Sequence, residues 1–280
     1  MLVDILVYAI YFIVGAVMGS FTAAVAYRVC RGISIVSPPS RCDRCERRLR
    51  WFENIPIVSF IIQGGKCRTC GAKIGVLGFL AEVITAVLYL LVAIVFFKQG
   101  IALSIVLCLT LSVLITIALS DIYTMYISNI FMYIFLFLGV CVVLLQPIDL
   151  LSNVIGVAIG GGLLLLVYGV GYLIKKREVM GLADIKLMAV AGLMLGWKGV
   201  LFALFVGIIF ACVVLGIKRV VEIVSSRKTA KQNDSEDKEH IKDVELENKE
   251  YPFAPYLVVG IIAAIFVGDL VFNLYLSLFI

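Results

Sequence analysis

Two sets of residues in this chain are of types that do chemistry. The first is a pair of cysteine knuckles, Cys42-Asp43-Arg44-Cys45 and Cys67-Arg68-Thr69-Cys70, with 21 residues between them. Two such CxxC pairs can set four thiolates in a tetrahedron about 2.3 Å from one zinc ion. The gap is slightly above the roughly 15–20 residues usual for these sites. Arg41, Arg44, Lys66 and Arg68 crowd the knuckles, and positive neighbours favour thiolate. A zinc bound by all four would be structural, because it keeps no open position for substrate. Two disulfides or four free thiols are the alternatives, and a cytoplasmic placement disfavours disulfides. Cys30, Cys108, Cys141 and Cys212 are scattered and read as ordinary buried residues.

The second set is a short list of acids in or beside apolar runs: Asp4, Glu82, Asp121, Asp149, Asp184 and Asp269. An ionisable group at membrane depth is a functional candidate by default. Asp4 and Asp149 fall near the outer surface and read as solvated, and Asp269 as interfacial. Glu82 reads as a hydrogen-bond partner of a neighbouring helix. Asp121 and Asp184 stand 63 residues apart, one ending an apolar run and the other opening one. Two helical hairpins can bring them together at one membrane face. Two carboxylates sharing a proton form an aspartic-peptidase site: one takes a proton from water, the other donates to the scissile carbonyl. The plainer alternative is a pair of solvated helix ends, with Asp184 an N-cap. Lys186 is placed to steady local charge or bind lipid phosphate. The one histidine, His240, lies in a charge-dense stretch, which disfavours Ser-His-Asp, Cys-His and His-metal chemistry.

The elements that must position these residues are membrane helices. Of 280 residues, 62% are hydrophobic and 15% charged, against roughly 45–50% and 25% for a soluble domain. Mean hydropathy is +1.11. A water-soluble globule and a largely disordered chain are both excluded. Eight apolar runs are predicted as spans, near Ile5–Tyr27, Val76–Phe97, Ile101–Ser120, Ile127–Leu145, Val154–Ile174, Ile185–Trp197, Val200–Ile217 and Pro255–Leu276. The first is too long for a signal-peptide core and is read as retained. Between Arg28 and Gly75 there are ten Lys/Arg and three acids, so the positive-inside rule puts this insert in the cytoplasm. Eight crossings then bring Lys175-Lys176-Arg177 and the loop Lys218–Glu250 to the same side, with both termini outside. That loop is rich in Lys, Glu and Asp and reads as a solvated, partly disordered linker with a short helix at its start, with an interaction tail as the alternative. Gly15-xxx-Gly19, Gly156-xxx-Gly160 and Gly192-xxx-Gly196 have close-packing spacing. The expected architecture is all-α and polytopic. It has a first helix (1–27), a cytoplasmic four-cysteine insert (28–75) and a bundle (76–280) with a charged loop at 218–253.

These residues resemble the bacterial type IV prepilin peptidases along nearly the whole chain. Gly19-Ser20-Phe21 with Tyr27-Arg28 is similar to the family's opening motif. Ser40-Arg41-Cys42 through Cys45, Trp51-Phe52-Glu53-Asn54-Ile55-Pro56 and Cys67 through Cys70-Gly71-Ala72 resemble its cytoplasmic domain. Glu82 falls where the family carries a glutamate. Asp121 opens Asp-Ile-Tyr-Thr-Met-Tyr-Ile-Ser-Asn, with Ser128 in place of the family's proline. Asp184 sits in Gly181-Leu182-Ala183-Asp184-Ile185-Lys186-Leu187, with Ala183 in place of a glycine. Tyr251-Pro252-Phe253-Ala254-Pro255 resembles Pro-Phe-Gly-Pro, with Ala254 in place of glycine.

The resemblance implies catalytic Asp121 and Asp184, with Gly181 and Lys186 supporting them, and zinc on Cys42, Cys45, Cys67 and Cys70. It implies two reactions at the cytoplasmic face of the bacterial inner membrane. A basic leader is cleaved from prepilins and pseudopilins after a glycine. The new N-terminal residue is then methylated with S-adenosylmethionine, in association with the cysteine insert. The implied partners are those substrates and membrane lipid, with no nucleic acid. No glycine fingerprint marks a cofactor pocket, so the residues that bind the methyl donor are not assigned. The rival readings are a peptidase without methyl transfer, a small transporter with a zinc knob, and a noncatalytic assembly factor for pili or secretion. The intact insert argues against the first. The clustering of clear acids at one face argues against the second, and the retention of both aspartates against the third.

Overall fold

A computed structural model describes residues 2–37, 39–146, 150–176, 181–230 and 251–279. Asp149, Arg177 and the stretch 231–250 with His240 lie outside the described residues, as do the side chains of Lys175 and Asp269. The described chain is helical: α1 (Leu2–Val29), α2 (Val58–Ile62), α3 (Val76–Phe96), α4 (Ile101–Thr124), α5 (Asn129–Leu145), α6 (Leu150–Lys175), α7 (Leu182–Ala230) and α8 (Ala254–Phe279). Five segments are long and apolar enough to cross a membrane: Leu2–Val29, Val76–Gln99, Ile101–Thr124, Leu150–Ile174 and Leu182–Val221. Asn129–Leu145 and Ala254–Gly268 are shorter apolar helices.

The Leu182–Val221 segment spans 40 residues, about 60 Å of helix and twice a bilayer core. It is two limbs. Gly196 has φ 68° and ψ −179°, a conformation closed to residues with a Cβ. Met188 before it and Val200 after it both press on Gly160 of α6, while Gly196 itself meets Ser152. The chain therefore reverses at Gly196. The runs expected at Ile185–Trp197 and Val200–Ile217 are the two limbs, and eight apolar segments result. The helix expected at the start of the charged loop is the end of α7, which continues to Ala230.

Close packing does the assembly, since lipid leaves little hydrophobic drive between helices. A Cβ at Gly15 would lie 2.8 Å from the Ala86 Cα, and one at Gly19 would lie 2.6 Å from the Glu82 Cα. These contacts seat α1 on α3. Gly156 and Gly192 touch backbone to backbone, and Gly260 of α8 meets the Ala203 carbonyl of α7. Helix α4 is the hub, packed against α1, α3, α5 and α8. Its hydroxyls are satisfied within the bundle: Tyr89 pairs with Ser112 (2.8 Å), Tyr11 with Ser104 (2.7 Å), and Thr116 and Ser120 donate one turn back. Many large apolar side chains face outward, including Leu6, Ile13, Phe137, Leu166 and Phe205, as a lipid-facing surface requires.

Candidate functional site

Between α1 and α3 the chain folds into a small knob built on the two knuckles. Each knuckle is closed by an isolated β-bridge, Arg41–Arg48 and Lys66–Lys73. Inside each, the hydrogen bonds are the same. The Cys42 N–H donates to the Arg47 carbonyl (3.0 Å), and the Glu46 N–H donates to the Cys42 carbonyl (2.9 Å). The Cys67 N–H donates to the Ala72 carbonyl (2.8 Å), and the Gly71 N–H donates to the Cys67 carbonyl (2.9 Å). The residue after each second cysteine, Glu46 or Gly71, takes a left-handed turn. The four sulfurs lie within 4.8 Å of one another, and Cys42 Sγ is 3.7 Å from Cys70 Sγ. A tetrahedral zinc with 2.3 Å bonds needs sulfurs about 3.8 Å apart, so the donor set fits a metal ion. No cysteine of the quartet is disulfide-bonded. Amides of Cys70 and Thr69 pull the Cys67 thiol down to about 6. Amides of Cys45 and Arg44 lower Cys42. The Ala72 amide works in the same direction at Cys70, but burial and the neighbouring thiols push that group up to about 11. Of the other cysteines, Cys108 is buried as expected; Cys30 and Cys141 are half-buried, and Cys212 faces outward. Outward placement costs nothing there, because lipid is as apolar as the core.

An ion pair stiffens the knob. Arg47 donates through both terminal nitrogens to Glu53 (3.0 and 2.9 Å), and the Arg50 N–H donates to Glu53 Oε2 (2.8 Å). The Arg47 side chain also lies within electrostatic reach of Cys67. These bonds hold the Glu53 carboxyl down at about 2, Arg47 first and the Arg50 amide second. Glu82 bonds to the knob rather than to a neighbouring helix. Its Oε2 accepts the Ile57 N–H at 2.7 Å. Ile57 has φ 61° and ψ −54°, with the Val58 N–H donating to the Pro56 carbonyl: a strained γ-turn. Glu82 lies in the second turn of α3, at the cytoplasmic end where the sequence places it; its partner in the knob is what periodicity did not reveal.

At the same end, Asp121 closes α4 and Asp184 opens α7. They are 7% and 6% exposed and interact electrostatically with each other. Neither is a solvated helix end. The Ala254 N–H, at the start of α8, donates to Asp121 Oδ2 at 3.0 Å, and the Phe253 amide faces the same carboxylate. A helix N-terminus is a natural seat for a carboxylate. Pro255 carries no N–H, so those two amides are the donors this turn offers first. This role of Phe253 and Ala254 was missed; a Pro-x-x-Pro frame before an apolar run is a helix-start signal and pointed to it. Met125 takes a left-handed φ of 51° and returns its N–H to the Asp121 carbonyl (2.9 Å). Gly181 accepts the Asp184 N–H (3.1 Å), and a Cβ there would stand 3.6 Å from Asp184 Oδ2. Lys186 donates to Asn129 Oδ1 (3.2 Å), tying α7 to α5. The three replaced motif positions are accommodated. Ser128 holds φ −66°, the angle proline would impose. Ala183 packs on the core, and Ala254 is fully buried.

Knob and carboxylates share one face. Tyr27 stacks edge-on to Tyr123 (5.8 Å), and the Cys30 thiol meets the Tyr126 carbonyl. The fold and site define a multi-pass helical membrane protein with two buried carboxylates at one end of its bundle and a four-cysteine knob over the same end.

Residues 13–96 match the bacterial peptidase A24 N-terminal domain, and residues 108–217 match the type IV leader peptidase family. The chain is 30% identical to a prepilin leader peptidase/N-methyltransferase of Bacillus subtilis over 275 residues, covering 96% of this chain and 98% of that one. It is 34% identical to the protein of that name from Dichelobacter nodosus over 66% of this chain and 62% of that one. It is also 26% identical to a type 4 prepilin-like proteins leader peptide-processing enzyme of Escherichia coli, over 85% and 79%. No solved structure matches it. The chain belongs to the type IV leader peptidase family.

Proposed function

We propose that this protein is a two-reaction processing enzyme of the bacterial cytoplasmic membrane. It removes the basic leader from type IV prepilins and pseudopilins, and methylates the N-terminal residue so exposed. The observation that carries this reading is that Asp121 and Asp184, both buried, lie within electrostatic reach of each other at the knob-bearing end of the bundle. Two carboxylates at close range hold one proton between them. Asp121, with amide donors on its Oδ2, takes the carboxylate role and accepts a proton from the attacking water. Asp184 donates to the scissile carbonyl oxygen. Water adds to the carbonyl carbon, the C–N bond of the tetrahedral intermediate breaks, and a proton passes to the departing amine. The Gly181 carbonyl fixes the backbone of Asp184, and Lys186 fixes its helix.

The knob-bearing end faces the cytoplasm and both termini face outward, as the excess of Lys/Arg in 28–75 requires. The substrate's apolar helix lies in the bilayer, with its leader junction at the depth of the two aspartates. Cys42, Cys45, Cys67 and Cys70 hold a structural zinc ion. S-adenosylmethionine supplies an electrophilic methyl group to the new amine. The first helix (1–27) and insert (28–75) carry the methylation surface, and 76–280, with its charged loop 218–253, carries the peptidase.

The test is mass spectrometry of a prepilin incubated with the purified protein and S-adenosylmethionine, beside Asp121→Asn and Asp184→Asn. Leader loss plus one methyl group, absent in both variants, supports both reactions and the pair. Cleavage by either variant removes that aspartate from the site. Cleavage without methylation leaves a peptidase alone.

A further inference from the structure

A cleft of about 370 Å³ opens between the knob and the first turns of α3. We propose that this cleft binds the methyl donor, S-adenosylmethionine. The inference rests on the methylation reading above and names its site.

The volume lies in the range of small-molecule pockets. Its floor is glycine: Gly75 and Gly78 both line it, and a Cβ at either would meet nothing within 4 Å. Side chains at those two positions would occupy the space a ligand needs. One wall is aromatic. Phe60 of α2 stacks on Phe79 of α3 at 4.4 Å and 16°, and both rings line the cleft. The remaining lining carries charge of both signs, including Glu82 and Asp43 against Lys73 and Arg41. S-adenosylmethionine has the complementary parts: a flat aromatic base, a sulfonium and an ammonium to face carboxylates, and a carboxylate to face the basic side chains. Glu82 uses Oε2 on the Ile57 amide, which fixes its carboxylate at the cleft wall.

Cys42 and Cys67 also line the cleft. A four-thiolate zinc offers no open position, so the metal shapes this wall and does not touch the donor. Asp43, in the lining of the cleft, is within electrostatic reach of Tyr123, two residues past Asp121. In the transfer, the methyl carbon leaves the sulfonium sulfur, which keeps the bonding pair as a neutral thioether. The unprotonated amine supplies the new N–C pair, and the proton it then sheds passes to a carboxylate or water.

The test is direct binding of the product, S-adenosylhomocysteine, to the full-length zinc-loaded protein in nanodiscs. Gly78→Leu fills the cleft without removing a polar group, and should weaken binding by about tenfold or more. Its zinc content and melting temperature should match the wild type. Gly169→Leu is the control, placed on α6 where a Cβ also meets nothing, and should bind normally. Unchanged affinity in a folded Gly78→Leu protein overturns the proposal while leaving methylation intact. Photo-crosslinking of labelled S-adenosylmethionine to the wild type needs no variant: label within 41–82 supports the cleft, and label elsewhere overturns it. A wild type that neither binds the product nor methylates cleaved prepilin fails the methylation reading itself.

Discussion

Arg47 serves two groups at once, since its guanidinium clamps Glu53 and lies within electrostatic reach of Cys67. Residues that hold metal ligands from behind are commonly worth 10–100-fold in metal affinity. Arg47→Ala should therefore lower zinc affinity by about 10–100-fold in chelator competition; an unchanged affinity would make the contact incidental. Glu53 gives the clamp a pH signature. Its folded value of about 2 lies below the ordinary 4.5. Its stabilisation is thus complete above pH 4.5 and is lost as pH falls toward 2. In metal-free protein with Trp197→Phe, the fluorescence of neighbouring Trp51 should change across that window, and Glu53→Gln should abolish the transition. At the other site, Asp121→Asn and Asp184→Asn should each cut leader cleavage by roughly 10²–10⁴-fold or more, with methylation of an already cleaved pilin retained. Loss of both reactions together would indicate misfolding rather than lost chemistry. The residue types at both sites were legible in the sequence. Their partners were not, because backbone amides such as Ala254 and Ile57 carry no side-chain signature.

At the scale of elements, the reversal at Gly196 decides where α7 begins and ends at the membrane face. Its φ of 68°, with Ser152 Oγ 2.7 Å from where a Cβ would stand, leaves no room for another residue. Gly196→Ala should cost about 1–3 kcal/mol, read as a lowered melting temperature in detergent; an unshifted melt would show that the turn relaxes freely. The eight apolar runs were legible because span length and charge are local properties. The reversal was legible only as a gap between two short runs. What separates a hairpin from one 40-residue helix is the fit of Met188 and Val200 on Gly160. The direction of Glu82 escaped for a related reason: periodicity assigns a helix face, not the element that covers it.

At the scale of the whole molecule, the knob and the carboxylate pair share a face but not a backbone. The carboxylates hang on α4, α7 and α8, whereas the knob hangs on α1 and α3. Stripping zinc from the intact protein should therefore abolish methylation while leaving most leader cleavage. Mass spectrometry of the processed prepilin before and after chelation, with zinc restored as a third arm, checks this. Equal loss of both reactions would mean that the knob also holds the peptidase site.

By itself the sequence determined the class of molecule, the apolar segments, the sulfur quartet and the two acids worth attention. Each is written in composition or in short spacings, which survive without a fold. Only the tertiary structure decided that Asp121 and Asp184 are buried within electrostatic reach of each other, that the start of α8 donates to one of them, and that a cleft lined by Gly75 and Gly78 lies between knob and α3. Those facts join residues 25 to 133 positions apart. Their distances depend on how helices rotate and how closely they approach, which glycine contacts such as Gly19 on Glu82 and Gly260 on Ala203 set.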